Sequence, residues 1–419
     1  MLITILAGGS RGDTQPYIAL GLALKNAGCM VRLATHENYE SFVKGHGLDF
    51  FPIRGDVTTV ATGELGREAA QADNPLKVLL SFNKLKALVF DLQQDFFNAC
   101  EGSDAIVYHP GATIGYFAAR QMNIPSIFAS PFPMVPTRDF PSLLFYNAPR
   151  LGRTYNLMTH RIFEQIMWQT SSSPVKEFWK KKFGRAPNDF SSPYKKQITR
   201  THPTVISCSN SVFPRPADWP ENVHNTGYWF LDEEAGWTPP GELVRFLDNG
   251  EPPVYVGFGS LGGATEAEQT MKMIIEALKR SGQRGILATG WSGTINMDKP
   301  PDDIFILESA PHAWLFPRMK AVVHHGGAGT TAAGLRAGVP SIIIPHGNDT
   351  PAWGLRVYEL SVGPKPVPRK KLNAENLSDA ITSALTDKII VKAKELGLKI
   401  QAEKGAEDAA QVIINALAL

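Results

Sequence analysis
Residues 320–340 read Lys-Ala-Val-Val-His-His-Gly-Gly-Ala-Gly-Thr-Thr-Ala-Ala-Gly-Leu-Arg-Ala-Gly-Val-Pro. A short apolar run ends in His324 and His325, a glycine-rich turn follows, and a segment of small residues runs to a Gly-Val-Pro stop. That order predicts strand, loop, helix. Gly326, Gly327 and Gly329 let the backbone approach a ligand, while Thr330 or Thr331 can cap a helix whose unpaired N–H groups point back at the loop. A helix start of this kind binds anions, phosphate above all. Arg336 and Gly338 suit the opposite end, where the dipole is negative and the chain must turn. Glycine-rich turns are common in α/β proteins, so the turn alone does not make a site. The histidines add to it, because the carboxyl end of a parallel strand is where open sheets bind ligands. A metal centre is not expected: neighbouring strand residues point to opposite faces, and no further His or Cys spacing completes a ligand set.

The rest of the chain repeats the device. Residues 2–6 form an apolar strand that runs into Gly8-Gly9-Ser10-Arg11-Gly12-Asp13, followed by a helix from about residue 16 to 26 and a second strand at 30–34. The glycines do not fit G-x-G-x-x-G, and no acidic residue lies about 20 positions on, which argues against a dinucleotide site. Helix and strand patterns then alternate through 37–45, 48–53, 82–100, 104–108 and 124–129, predicting a parallel sheet covered on both faces. The pattern lapses at 54–75, where a mobile loop is expected. A second alternating series covers 253–260, 266–280, 285–288, 304–307, 321–324 and 341–344, with helices from 374 onward. Between the two series, 214–240 holds five prolines and three tryptophans without periodicity, the composition of a linker. The fold expected is α/β, two doubly wound Rossmann-like domains facing a central cleft.

With 419 residues there is chain enough for two cores. A formal charge of +2 is too small to argue for nucleic acid, and no such partner is expected. Three scattered cysteines suit a reducing compartment, and no apolar run is long enough to span a bilayer. A cytoplasmic protein is expected. Residues 173–200 carry eight basic side chains against two acidic ones, read either as a solvated face or as a patch for weak peripheral contact with anionic lipid. Large apolar residues crowd 131–179; most suit a core, and the proline-broken part, with Phe132, Met134, Phe140 and Phe145, suits a greasy acceptor pocket.

His324-His325-Gly-Gly-Ala-Gly-Thr-Thr, with Ala310-Pro311-His312 before it and Asp349 after it, resembles the donor signature of UDP-sugar-dependent glycosyltransferases. Gly9-Ser-Arg-Gly-Asp13-Thr-Gln-Pro16, Pro216-Ala-Asp-Trp219-Pro, Thr226-Gly-Tyr-Trp229 and Val256-Gly-Phe-Gly259-Ser260 resemble the sterol 3-beta-glucosyltransferase subgroup, and the resemblance extends to bacterial natural-product enzymes. It implies the two-domain arrangement called GT-B: an acceptor-binding domain at 1–213, the linker at 214–240, a UDP-sugar-binding domain at 241–402, and a last helix at 403–419 returning to the first domain. It also implies that no metal is needed, that His324 contacts the phosphate, and that the base rests against Ala310-Pro311-His312, with Trp291 an aromatic of the same region. Ser10, Gly12, Gly259, Ser260, His325 and the 326–331 loop complete the expected donor contacts.

Transfer of a sugar from a diphosphate requires a base for the acceptor and stabilisation of the leaving group. Asp13 is the expected base, as the resemblance also implies, with a helix cap as the alternative reading of the same carboxylate. His109, closing the 106–108 strand, is its expected neighbour. One in-line displacement inverts the anomeric centre, and the resemblance implies the same outcome, an α-linked donor giving a β-glycoside. Relatives carry Asp-Gln where this chain has Asp349-Thr350, which replaces a sugar-binding amide by a shorter hydroxyl. A lipid or rhamnosyl-type transferase is the near alternative, a UDP-sugar 2-epimerase of the same fold a further one, and a sugar-nucleotide binding protein the reading without catalysis.

Overall fold
The structure, a computed structural model, describes residues 1–55, 86–198, 203–232, 237–258, 264–289 and 300–418. Most of the loop expected at 54–75 therefore lies outside the described residues, as do Gly259, Ser260 and Trp291. The chain divides into two compact units, Met1–Leu231 with Glu403–Leu419, and Asp232–Ala402.

In the first unit the order is β1 (Leu2–Leu6), α1 (Arg11–Asn26), β2 (Met30–His36), α2 (Glu40–Gly45), β3 (Asp49–Ile53), α3 (Lys86–Ala99), β4 (Ala105–Tyr108), α4 (Ile114–Met122), β5 (Ser126–Ser130), α5 (Arg153–Phe183), α6 (Pro193–Gln197), β6 (Thr204–Ile206) and β7 (Val223–Asn225). The strands make one parallel sheet in the order β3-β2-β1-β4-β5-β6-β7. Their side chains divide between two cores. Ile3 and Ile5 pack with Tyr17 and Leu20 of α1 and with Ala409 and Ile413 of the last helix, Gly405–Leu417. Leu6 and Tyr108 belong to the other face, with Phe97, Phe117 and Trp179. Covering on both faces explains why β4 and β5 are buried along their whole length, and β1 beyond its first residue, rather than alternating.

The second unit contains α7 (Gly241–Asp248), β8 (Val254–Gly257), α8 (Ala264–Arg280), β9 (Gly285–Ala288), β10 (Ile304–Leu307), α9 (His312–Leu315), β11 (Ala321–His324), α10 (Ala328–Ala337), β12 (Ser341–Ile343), α11 (Thr350–Glu359), α12 (Ala374–Ala384) and α13 (Asp387–Gln401). Its parallel sheet runs β10-β9-β8-β11-β12. Val254 and Val256 face Ile274, Leu278 and Ile381, while Tyr255 between them faces Leu315 and Phe316.

Each sheet reverses its winding once, between β1 and β4 in the first unit and between β8 and β11 in the second. Beyond the carboxyl ends of the strands at such a point the flanking helices part and leave a crevice. Asp13 and His109 follow β1 and β4; the His324-His325 loop follows β11.

One stretch departs from the sequence expectation, and another takes a form for which the sequence sets no expectation. The stretch expected as a linker, 214–240, is divided: its first part builds β7 and buries Trp219 and Trp229 in the first unit. Trp219 Nε1 donates to Val135 O at 3.1 Å and Trp229 Nε1 to Thr226 Oγ1 at 2.9 Å, so the aperiodic tryptophans are packed residues. The crowded segment after 150 is a single 31-residue helix, α5, that continues through Pro174. Proline in a helix interior removes one hydrogen bond; here burial of Val175, Phe178 and Trp179 beyond it holds the helix in register.

Candidate functional site
Asp13 is the third residue of α1, and Ser10 precedes the helix. The Ser10 N–H and the Ser10 hydroxyl both donate to Asp13 Oδ2, each at 2.8 Å. Gly9 makes this possible. Its φ is +138°, and a Cβ there would stand 2.5 Å from Asp13 Oδ2. Cap and base, set against each other in the sequence reading, thus use different oxygens: Oδ2 closes the helix start and Oδ1 faces His109. Ser10, expected among the donor contacts, is exposed and clamps this carboxylate.

His109 follows β4, its N–H bonded to Leu6 O at 3.0 Å across the switch point. Its Nδ1 accepts the Gly111 N–H at 3.0 Å, which leaves the ring proton of the neutral imidazole on Nε2. Nε2 is buried without a hydrogen-bond partner and lies 4.0 Å from Asp13 Oδ1. Burial holds the His109 pKa below its ordinary value, with the Asp13 charge opposing. Tyr17 packs edge-on against the ring at 5.7 Å and donates its hydroxyl to Ala129 O at 2.6 Å.

In the second unit the cap of α10 is Gly327, not Thr330 or Thr331. Both threonines lie within the first turn, and the Thr331 hydroxyl bonds back to Gly327 O at 2.9 Å. A glycine cap brings no side-chain acceptor, so the N–H groups of Ala328, Gly329 and Thr330 keep the positions that an anion occupies. Gly326 has φ +91°, and a Cβ on it would meet Ile343 at 2.6 Å. Gly329 differs, since a Cβ there would meet nothing within 4 Å. Its side faces open space.

His324, expected to contact phosphate, is fully buried, and its Nδ1 accepts the Gly326 N–H at 3.1 Å. Burial first, then His325 and His312, push its pKa well down. The ring therefore shapes the loop. His325 is half-buried, packs over Gly327, and stands 5.8 Å from the His346 ring with an unpartnered Nδ1. Each of the two rings thus holds one buried nitrogen without a partner, Nε2 in His324 and Nδ1 in His325. The expected base platform, Ala310, Pro311 and His312, opens α9, with the His312 ring stacked on Phe316 at 4.2 Å and the three residues only partly buried.

Thr350 is not available to a sugar. It is 7% exposed, accepts the His346 and Gly347 N–H groups at 3.0 and 3.1 Å, and donates to Gly347 O at 2.7 Å. Asp349 stands at the start of α11 and receives the Trp353 Nε1 proton at 2.8 Å. Of the expected acceptor residues, Met134 is core, 2% exposed beside Phe128 and Trp179 in one cluster. Phe132, Phe140 and Phe145 are half-buried, with Phe140 against Phe213 at 5.1 Å. In the basic stretch, Lys182 lies over Phe97 and pairs with Glu101, and Lys196 pairs with Asp189. Among the described residues no cluster of three metal-ligating side chains occurs, and no helix is long and apolar enough to cross a membrane.

The glycosyltransferase family 28 N-terminal domain matches residues 3–141, and the C-terminal domain of the erythromycin biosynthesis protein CIII-like family matches 286–418. Sterol 3-beta-glucosyltransferase UGT80A2 of Arabidopsis thaliana is 35% identical over 427 residues, covering 100% of this chain and 66% of the plant protein. The sterol 3-beta-glucosyltransferase of Emericella nidulans is 37% identical over 429 residues, covering 99% of this chain and 30% of the fungal one. This chain thus spans about two thirds of the plant relative and under a third of the fungal one. Among solved structures, the glycotransferase of kitacinnamycin matches with a TM-score of 0.73 at 19% identity over 99% of both chains. VinC, solved in complex with DTDP, matches at 0.69 and 16% identity over the whole of both chains. At these identities the structures establish the fold, which is GT-B.

Proposed function
Because the chain belongs to the GT-B glycosyltransferases that join a family 28 N-terminal domain to an EryCIII-like C-terminal domain, we propose that it moves a hexose, glucose in the first instance, from a UDP-sugar to a hydroxyl of a hydrophobic acceptor of the sterol kind. The anomeric centre inverts, and an α-linked donor gives a β-glycoside. The acceptor class rests on the sterol-glucosylating relatives that align over the whole chain. The observation that carries the reaction type is the pair of prepared loops, each at the switch point of its own sheet.

In the first loop Asp13 Oδ1 takes the acceptor proton, while Oδ2 stays bound to Ser10 and keeps the carboxylate aimed. The acceptor oxygen forms a bond to the anomeric carbon as the bond from that carbon to the β-phosphate oxygen breaks, and the electron pair leaves with UDP. In the second loop the N–H groups of 328–330 and the His325 ring receive the developing charge, and they need no reorganisation to do so. The half-buried main chain at 310–312 is the platform for the uracil. Half-buried Phe132, Phe140 and Phe145 offer apolar surface to the acceptor. The sugar hydroxyls are left to Asp349 and its neighbours, since the Thr350 hydroxyl is already spent.

The test is UDP release from UDP-glucose and other UDP-sugars, with and without a sterol and a polyphenol, for the native chain and Asp13→Asn. Acceptor-dependent release, lowered about a hundredfold to ten-thousandfold by the substitution, is the expected result. Interconversion of the UDP-sugar without an acceptor would replace this reading by an epimerase.

A further inference from the structure
The helix α5 presents a line of exposed and half-buried apolar side chains. It begins with Leu151 just ahead of the helix and passes through Tyr155, Met158 and Ile162, at steps of four, three and four, the spacing of a single helical face. Leu151 is 68% exposed, Met158 49% and Ile162 39%, with Tyr155 half-buried between them. The line continues over uncharged polar residues and ends in exposed Lys176 and Lys180. At 1.5 Å per residue the apolar part is about 17 Å long and the lysines begin about 20 Å beyond it.

These side chains are not a core left uncovered, because the opposite side of α5 is fully engaged. Asn156 Nδ2 donates to Arg138 O, the Thr159 hydroxyl accepts the Ser142 N–H, and the His160 ring meets Phe140 O. Farther along, Phe178 and Trp179 enter the core. Of the six basic residues of the helix, Arg153, Arg161 and Lys182 pair with Asp139, Glu164 and Glu101, which leaves exposed Lys176, Lys180 and Lys181 against exposed Glu177, a net positive end. We propose that this line is a docking face for an anionic membrane surface, its apolar end seated at the boundary of headgroups and acyl chains and its lysines on lipid phosphates.

Charge decides for lipid over a second copy of this chain. A parallel twofold pairing would set lysine against lysine, and an antiparallel one could pair only the short apolar ends, leaving Lys176 and Lys180 with no counter-charge, whereas an anionic surface meets both parts of the line at once. The proposal rests on the glycosyltransferase reading in one respect: the inner side of α5 holds the loop that carries Phe140, so docking brings a bilayer-dissolved acceptor to the segment that receives it.

The test is sedimentation of the full chain with vesicles of phosphatidylcholine alone and of phosphatidylcholine with phosphatidylserine. The native chain is expected to partition onto the anionic vesicles, and the combined variant Leu151→Ser, Met158→Ser, Ile162→Ser to lose that by more than tenfold. Lys176→Gln with Lys180→Gln should lower it by roughly fivefold per lysine. About 1 M salt, where the Debye length falls to about 3 Å, should lower native binding to the same degree. Transfer to a water-soluble acceptor should be unchanged in every variant, whereas transfer to an acceptor held in vesicles should fall with binding. Native-like sedimentation of the apolar variant overturns the proposal, as does a native dimer that this variant converts to monomer. Binding that the variant abolishes, in a chain that transfers to no acceptor, would leave the docking face standing and remove the transferase reading.

Discussion
Nδ1 of His109 is filled by the Gly111 N–H, so the imidazole meets Asp13 with a proton already on Nε2. In that tautomer it cannot receive the acceptor proton at Nε2. It can donate to Oδ1 when the 4.0 Å gap shortens around a substrate, and such a donor orients the carboxylate. His109 is therefore a positioning residue. His109→Gln, which keeps an N–H of similar reach, should retain activity within about tenfold, while His109→Ala should lose about a hundredfold. A kcat profile over pH separates the roles: a positioning histidine leaves the acid limb of the native enzyme in the Gln variant, and equal collapse of both variants would make His109 the base. Thr350 supports a different kind of expectation. Replacing it by Val strips two backbone N–H groups of their acceptor, at about 1–3 kcal/mol for each group left buried and unpaired. Thr350→Ser, which keeps the hydroxyl, should stay near native in a urea titration. A destabilised Ser variant would show that the methyl packing matters and the hydrogen bonds do not.

At the scale of the element, α10 offers two glycines with opposite demands. Gly326→Ala forces a side chain onto a backbone at φ +91° and into Ile343, so a loss of stability is expected before any ligand is added. Gly329→Ala puts a methyl into open space in the first turn, where helix propensity favours it by up to about 1 kcal/mol. Its melting temperature should hold or rise while UDP affinity falls about tenfold, because the methyl enters the space beside the free N–H groups. Calorimetric titration of UDP against both variants, with a thermal melt of each, checks this; unchanged affinity in Gly329→Ala would move the phosphates elsewhere. The strand, turn and helix of this element were legible because glycine, apolar run and stop follow one another in 20 residues. Its capping was not, since a threonine two or three places inside the helix has the same composition as one at the cap. The length of α5 was hidden for a related reason: Pro174 and a serine run resemble a break, and only the burial of Val175, Phe178 and Trp179 keeps the helix going. His324 and Thr350 read as ligand contacts because their types suit a polar site. His324 is enclosed by β8 and β12, which pair with its strand from far along the chain, and the Thr350 hydroxyl is taken up by a turn at 346–347 whose geometry residue types alone do not report.

Across the whole molecule the histidines set a pH dependence in both units. In the first, burial holds His160 down to about 4 and lowers His109 and His224; in the second, it holds His346 down to about 3, helped by Arg369 and His325, and lowers His324 and His325. An unfolded histidine titrates near about 6.5. Below that pH the unfolded chain binds protons that the folded chain refuses, so it holds more protons than the native state and stability must fall as pH falls. The contribution of these residues is complete above about pH 6.5 and is lost progressively toward pH 4. Glu164 and Glu403 act the other way. Burial raises both, so each favours the folded state as pH drops through the range just above its ordinary value, but they are two against six. Urea midpoints at pH 8, 6.5 and 5 should therefore descend in that order. Buried Trp229 reports on the first unit and Trp353 on the second, and single Trp→Phe variants assign each transition to its unit. Equal midpoints at pH 8 and 5 would mean that the buried imidazoles gain protons in the folded state, and with them the water or partners that their present surroundings withhold.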